Sequence, residues 1–435
     1  MDQRVFKRPF RMVVTASAML VASSVVMGSG HRAVALENWM EFDNNSSSSW
    51  SQPFDRSFVR RWESQPRRGY TTLSKKNIAP TRAAIDQYEE IVANGGWKRI
   101  PDVKLRAGMS DPAVAVLRQR LRISGDLEQR GGFRNTFDYY VEKALKRAQK
   151  RHGLSPTGVL DSATRAALNV SARARLRQLR LNLTRLNRLS RQTSREGRYV
   201  FVNIPAAQIE AVENGEVVSR HSAVVGKPSR QTPILKSRIH ELNFNKEWIL
   251  PPTVIREDLV PKGRSMSRNG QNVLERYGID AYASYDAYRR GDKLDPRQIN
   301  WSSSQPLNLF YAQEAGNDNP LGFVKLNFHN RHAVYLHDTP SQSLFGRNKR
   351  AESSGCVRVQ GVEQLVAWVL RDTPGWGISR VRQMKRTGET LDVKVKNPVP
   401  LYMNYVTAWA TPDGVVHFRR DIYGRDGVGA TASAY

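Results

Sequence analysis

The chain has 435 residues, with 68 lysines and arginines against 40 aspartates and glutamates, a formal charge of +28. That length holds two or three domains with buried cores, and a basic excess of this size suits a polyanionic partner. A single cysteine excludes a disulfide framework and a cysteine-cluster metal site. The eight scattered histidines show no H-E-x-x-H or comparable spacing, so neither a metal nor another cofactor is expected.

Residues 1–35 read as a secretion signal. Arg4, Lys7, Arg8 and Arg11 form a basic start, residues 12–27 are small and apolar, and Ala33-Val34-Ala35 offers a cleavage site. Export, and the lack of any nucleic-acid-binding signature, removes DNA and RNA as the polyanion and leaves a wall polymer or membrane surface. Residues 36–79, with Asn44-Asn45 and serines at 46–49, read as a low-complexity linker.

From about residue 80 the apolar spacing becomes helical. Helices are predicted over 81–92, over 111–123 with Asp111 as cap and Pro112 at the first position, over 137–151, and from Asp161. Residues 80–170 thus form a small helical domain. Over 171–197, Leu176, Leu179, Leu183, Leu186 and Leu189 recur among arginines, which predicts a basic amphipathic helix joining two domains.

At Arg198 the pattern turns to strands. Residues 199–204 and 217–225 are predicted strands, with a turn at Asn214-Gly215, and 239–248 is another, stopped by Pro251-Pro252. Residues 255–320 are polar and helix-leaning, a long insertion. Strands resume at 322–328 and 333–336, a helix spans 361–371, and strands over 393–395, 400–409 and 414–419 complete a domain ending near 425. A tail of 426–435 follows. The fold class is α+β and multidomain.

Chemistry concentrates in the run from His337 to Arg358. Cys356 follows Ser353-Ser354-Gly355, and glycine before the sulfur lets a substrate carbonyl approach the backbone. The N–H groups of Gly355 and Cys356 are candidate oxyanion donors, and His337 is the residue type that takes a thiol proton. Arg358 places positive charge near the sulfur, which favours thiolate and alkylation well below pH 8. A buried, inert cysteine is the bland alternative.

The strings Y-L-H-D-T-P and R-A-x-S-x-G-C-V-R-V resemble the catalytic segment of the YkuD-type L,D-transpeptidases, most closely their large periplasmic branch. V-V-G-K-P-x-R-Q-T-P and N-x-x-W-x-x-P-P add to the resemblance. The stretch A-L-K-R-A-Q-K-R-H-G-L-S-P-T-G-V-L-D resembles a three-helix peptidoglycan-binding domain, in which an aromatic usually stands where this chain has Ala148. The resemblance implies a mainly β catalytic domain over 198–425 whose insertion caps the site. It implies Cys356 as nucleophile, His337 as base and Gly355 in the oxyanion hole. Arg358, Ser353, Ser354, Tyr335 and Asp338 would contact or frame the substrate. Either the carboxylate or the backbone carbonyl of Asp338 would orient His337, with the carbonyl usual in related enzymes. Ser354 replaces the motif's second histidine, which implies slower acylation. The implied reaction moves an acyl group from the third residue of a peptidoglycan stem to an amine, in the periplasm. A stem-peptide amine, an outer-membrane protein or water could accept it. The rival reading is a non-catalytic wall-binding protein. No oligomeric state is implied.

Overall fold

A computed structural model describes residues 70–128 and 132–427. The expected signal, most of the linker and the tail beyond 427 lie outside the described residues. Residues 70–79 are not spacer. Leu73 is buried beside Leu186, Leu189 and Tyr199, and Thr72 gives its N–H and hydroxyl to the buried carboxylate of Glu210 at 2.9 and 3.0 Å. The expected linker boundary therefore moves to before Tyr70, because a carboxylate distant in sequence holds this segment.

Five helices follow: α1 (Ile78–Ala93), α2 (Pro112–Ile123), α3 (Tyr139–Arg151), α4 (Ser162–Asn169) and α5 (Ala172–Thr193). Asp111, Asp138, Asp161 and Ser171 cap α2 to α5 by accepting N–H bonds from the first turn, each worth about 1 kcal/mol. Helices α2 to α4 enclose a core that includes Val114, Leu117, Phe137, Leu145 and Leu168. Ala148 lies inside this core and is fully buried. The missing aromatic at 148 therefore changes packing and not a glycan-facing surface.

Helix α1 stands apart from this cluster. Its Ala84, Ile85 and Tyr88 pack on Leu176 and Leu179 of α5 and on Ala408, Ala410 and Phe418. Further along α5, Leu186 and Leu189 pack on Tyr199, Phe201 and Tyr402. The polar side of α5 is occupied as well: Asn182 donates to Thr407 Oγ1 at 2.8 Å, and Arg185 pairs with Asp426 at 2.6 Å. Asp426, expected in the tail, is thus part of the fold. No described helix is long and apolar enough to cross a membrane.

A buried ion pair supports the helical cluster. Arg151 and Asp126 meet at 2.6 Å with side chains 7% and 5% exposed. Losing one partner of such a pair costs about 3–5 kcal/mol, because the other charge stays buried. Arg151 also reaches the Val416 carbonyl, and its own carbonyl accepts from Arg419. These bonds join the cluster to the C-terminal hairpin.

The second half is built on β1 (Arg198–Asn203), β2 (Gln208–Glu213), β3 (Glu216–Gly226), β4 (Leu235–Phe244), β5 (Trp248–Ile249), β6 (Ile279–Tyr282), β7 (Phe310–Gln313), β8 (Val324–Phe328), β9 (Leu336–His337), β10 (Ala351–Ser353), β11 (Val357–Val359), β12 (Leu391–Asn404), β13 (Ala408–Ala410) and β14 (Val416–Phe418). Nine of them form one sheet in the order β10-β3-β11-β9-β8-β4-β12-β1-β2, and β2 also pairs with β3, so the sheet closes on itself. At the β2–β3 turn, Asn214 and Gly215 both take positive φ, as a tight hairpin turn requires. Val200 and Val202 of β1 enter the main core, while Tyr199 and Phe201 meet α5.

Several expected boundaries shift. The strand expected over 239–248 ends at Phe244, where Asn245 turns the chain at φ 45°, and Trp248 begins a different sheet. The piece expected at 393–395 and the first half of that expected at 400–409 are one strand, β12, whose register slips between Lys394 and Val399 around Pro398, while 408–409 begin β13. The 412–414 hairpin joins β13 to β14 in a separate two-stranded sheet. The expected helix at 361–371 is shorter, Val362–Val369, and a further helix, Ile378–Thr387, packs Val381 and Met384 into the main core.

The insertion carries its own core, including Trp248, Leu259, Val260, Leu274, Trp301 and Tyr311. It begins at β5, earlier than residue 255. It also holds a β5-β7-β6 sheet in addition to helices, so it is more than the helix-leaning stretch expected. Within it, Pro252–Val254, Ile255–Leu259 and Val260–Ser267 run on as one helix that widens into a π-turn over the middle segment. Pro261 explains the widening: it has no N–H to give, and its ring crowds the preceding turn.

Candidate active site

Three neighbouring strands build the site. β9 pairs in parallel with β11, matching Leu336 to Val357 and His337 to Arg358. β8 pairs antiparallel with β9, matching Lys325 to His337. Cys356 immediately precedes β11, and Val357 donates its N–H to the Tyr335 carbonyl at 3.0 Å. Side chains at alternate positions share a face. Tyr335, His337, Cys356, Arg358 and Lys325 therefore gather on one side of the sheet. The rings of Tyr335 and His337 are 5.5 Å apart, and Lys325 Nζ stands 4.4 Å from the Tyr335 ring.

His337 is buried, and its Nδ1 lies 2.5 Å from the backbone carbonyl of Asp338. The carbonyl, and not the carboxylate, is thus the orienting group, and the contact makes Nδ1 the protonated nitrogen. The Asp338 carboxyl points elsewhere, accepting from the Phe323 N–H at 3.2 Å, and burial pushes its pKa up to about 6. Gly322 makes room for that carboxyl: a Cβ there would come within 2.4 Å of it, and its φ of +60° suits glycine. Burial, with Arg358 and Lys325 close by, lowers the His337 pKa to about 3. The imidazole is neutral at ordinary pH.

Cys356 is partly exposed. Burial among its neighbours nonetheless raises its thiol pKa, against the opposing pull of the Tyr335 N–H and phenol, Lys325 and Arg358. The expectation of a thiolate well below pH 8 is overturned: Arg358 is close enough to act, but desolvation outweighs it. Alkylation by iodoacetamide is accordingly expected to keep accelerating past pH 9. Lys325→Met, which removes one cation, should displace that profile to higher pH; mass shift against time at each pH reads both. A plateau below pH 8 would contradict this.

The remaining expected residues fall into different places. Gly355 takes φ +117°, a backbone form that favours glycine. Its N–H donates to Ser353 Oγ at 3.2 Å, so it is already engaged, whereas the Cys356 N–H has no hydrogen bond among the described residues. Ser353 is buried, and its hydroxyl donates to the Cys356 carbonyl at 2.5 Å; it braces the loop instead of lining a binding surface. Ser354 is exposed and accepts from Arg230 Nη1 at 2.8 Å, so it is turned to that residue and not to the sulfur. Arg358 is 1% exposed, and its charge acts on both His337 and Cys356.

Four further residues escaped the sequence reading. Thr232 donates to the Gly355 carbonyl at 2.8 Å, and Arg230 binds Ser354; both lie in the turn-rich link 226–233, which showed only as a recurring string. Trp248 belongs to the core of the insertion on which Tyr335 packs, while Tyr335 and Cys356 both pack against the main core. Lys325 had no signal beyond its place in a strand. Two clefts elsewhere on the surface, beside α5, do not include any of these residues. The greater, about 520 Å³, is lined by Lys75, Arg191, Gln192, Ser194, Arg195, Glu196 and Lys236.

Comparison with known proteins places names beside this geometry. A family model described as "L,D-transpeptidase catalytic domain" matches residues 197–382, and one described as "Putative peptidoglycan binding domain" matches residues 110–168. A Haemophilus influenzae protein named "Putative L,D-transpeptidase" is 33% identical over 227 residues, which cover 52% of this chain and 44% of that relative. The chain thus spans less than half the length of that curated relative. Among solved structures, an L,D-transpeptidase from Xylanimonas cellulosilytica is 16% identical. That alignment covers 70% of this chain and 100% of the other, with a TM-score of 0.24. One from Stackebrandtia nassauensis is 12% identical, covering 69% and 94%, with a TM-score of 0.25.

Proposed function

We propose, from the premise that this chain carries an L,D-transpeptidase catalytic domain behind a peptidoglycan-binding domain, that it cross-links peptidoglycan stems by acyl transfer through Cys356. The observation that carries the reading is the pairing of β9 with β11. It sets a neutral His337, oriented by the Asp338 carbonyl, on the same face as the only cysteine. With Nδ1 protonated, Nε2 is the nitrogen left to take a proton.

The thiol proton of Cys356 passes to His337 Nε2 as the sulfur attacks the carbonyl of the third stem residue, meso-diaminopimelate. The carbonyl oxygen takes up negative charge, and the Cys356 N–H is the backbone donor left to meet it; losing such a donor typically costs about 10²–10³ in rate. Collapse of the adduct breaks the amide bond to the terminal D-alanine, whose amine leaves with the proton from His337. An acceptor amine from a second stem then attacks the thioester, forming the 3–3 amide and returning the thiol. Arg358 and Lys325 favour negative charge on sulfur throughout, while Ser353 and Thr232 hold the loop. The expected signal at 1–35 supports a periplasmic setting.

The test is incubation of the protein with a disaccharide-tetrapeptide, beside a Cys356→Ala control, read by mass spectrometry. Loss of D-alanine with a dimeric product, seen only with Cys356 present, is the expected result. D-alanine loss without dimer would move the assignment to hydrolysis or to a protein acceptor such as an outer-membrane protein. Binding to wall sacculi with neither product would replace the enzyme reading with a wall-binding one.

A further inference from the structure

We infer that Arg230 is a positioning residue that couples closure of the capping insertion to the geometry of the nucleophile loop. Its guanidinium is held on one side by the π-turn of the cap. Nε donates to Glu257 Oε2 at 2.7 Å, Nη2 to Asp258 Oδ1 at 2.9 Å, and Nη1 to Asp258 Oδ2. On the other side Nη1 donates to Ser354 Oγ at 2.8 Å, two residues before the cysteine. The Arg230 side chain is 7% exposed and that of Asp258 11%, so this pair is largely shielded from water, whereas Glu257 and Ser354 lie at the surface.

A planar fork is what this bridge requires. Arg230 grips the Asp258 carboxylate with two nitrogens while Nε and the second proton on Nη1 serve two other acceptors. An ammonium group offers no such fixed geometry. The same link that carries Arg230 carries Thr232, whose hydroxyl holds the Gly355 carbonyl at 2.8 Å. The link therefore grips the two residues before Cys356, and one of those grips depends on the cap. A second cap contact is made by Tyr335, which packs against the cap core that holds Trp248 and, with Cys356, against the main core. Lifting the cap would release Ser354 and Tyr335 together, loosening the loop and uncovering the thiol. Closing it would restore the arrangement that acylation needs.

The kinetic arm of the test rests on the acyl-transfer reading; the chemical arm does not. The chemical arm measures alkylation of Cys356 by iodoacetamide in the full chain. Arg230→Gln is expected to raise the alkylation rate about tenfold or more while unfolding stays cooperative. Arg230→Lys, which keeps charge without the fork, should behave like Arg230→Gln. Combining Arg230→Gln with Ser354→Ala should add nothing to Arg230→Gln alone, since both remove the same bond to the loop. In the kinetic arm, Arg230→Gln should lower kcat for D-alanine release at least tenfold with a smaller change in KM. Should Arg230→Gln fail to fold, Asp258→Asn, which weakens only the cap side, carries both arms. Wild-type alkylation rates in folded Arg230→Gln or Asp258→Asn, additivity with Ser354→Ala, or a loss confined to KM would each overturn the coupling. Absence of D-alanine release in the wild-type protein would instead overturn the acyl-transfer reading and leave the alkylation arm to decide the role of Arg230.

Discussion

Cys356→Ser is expected to reduce D-alanine release from a tetrapeptide stem by a factor on the order of 10⁴–10⁶, the range seen when a nucleophile that works with its base is removed. The hydroxyl fits where the thiol was, so folding and stem binding should persist and the loss should appear in kcat. The size of the effect follows from His337. Burial and two neighbouring cations hold its pKa at about 3, so in the free enzyme it is a weak base. A thiol is acidic and polarisable enough to react under such a base as charge moves to the oxyanion. An alcohol, several pKa units less acidic, is not. Mass spectrometry of the acyl-enzyme provides the check: a thioester adduct on wild-type protein and no ester on Cys356→Ser. Substantial acylation of the serine variant would mean that another group activates the nucleophile.

The second large effect is expected at His337 itself. His337→Gln keeps a donor for the Asp338 carbonyl but offers no nitrogen that accepts a proton, and should cost about 10²–10⁴ in acylation rate. The pH profile separates this role from a structural one. A group with a pKa of about 3 in the folded protein is already deprotonated at pH 5, so kcat/KM of the wild type should show no acid limb near 6.5, where an ordinary histidine titrates. An acid limb at 6.5 that vanishes in His337→Gln would show that the histidine is far less desolvated in the working enzyme. The same burial has a stability consequence with a definite sign. The unfolded chain takes a proton on this ring below about pH 6.5, whereas the folded chain does not until about pH 3. This group therefore withdraws stability as pH falls through that window. His221, lowered to about 4 by burial that outweighs its bond to the Gln360 carbonyl, acts in the same direction. Asp338, raised to about 6, opposes them over part of the range, since its folded form holds a proton that the unfolded form has released.

Much of the molecule was legible in the order of its residues, and the reason is local. Asp111 followed by Pro112 announces a helix start because both act on the first turn, and Asn214-Gly215 announces a hairpin because both residues accept positive φ. The leucines of α5 repeat at helical spacing because that stripe is buried. Cys356, Gly355 and His337 stood out because one thiol, one flexible neighbour and one imidazole at the end of an apolar run are the reagents that acyl transfer needs.

What the sequence could not specify depends on groups brought together from far apart. The charge states at the site are of this kind. Arg358 beside Cys356 suggests a thiolate, yet desolvation by the closed sheet and cap reverses the sign. The orienting group for His337 is a carbonyl because the Asp338 side chain is claimed by Phe323 and fits only over Gly322. Ser354 turns away from the sulfur because Arg230, more than 100 residues earlier, bonds its hydroxyl. Thr72, in a stretch that reads as spacer, is fixed by Glu210. Residue types and local spacing select the elements and the reagents, since these act within a few bonds of the chain. Solvation, orientation and the reach of Arg230 were decided by the tertiary structure, because each depends on what surrounds a side chain in space.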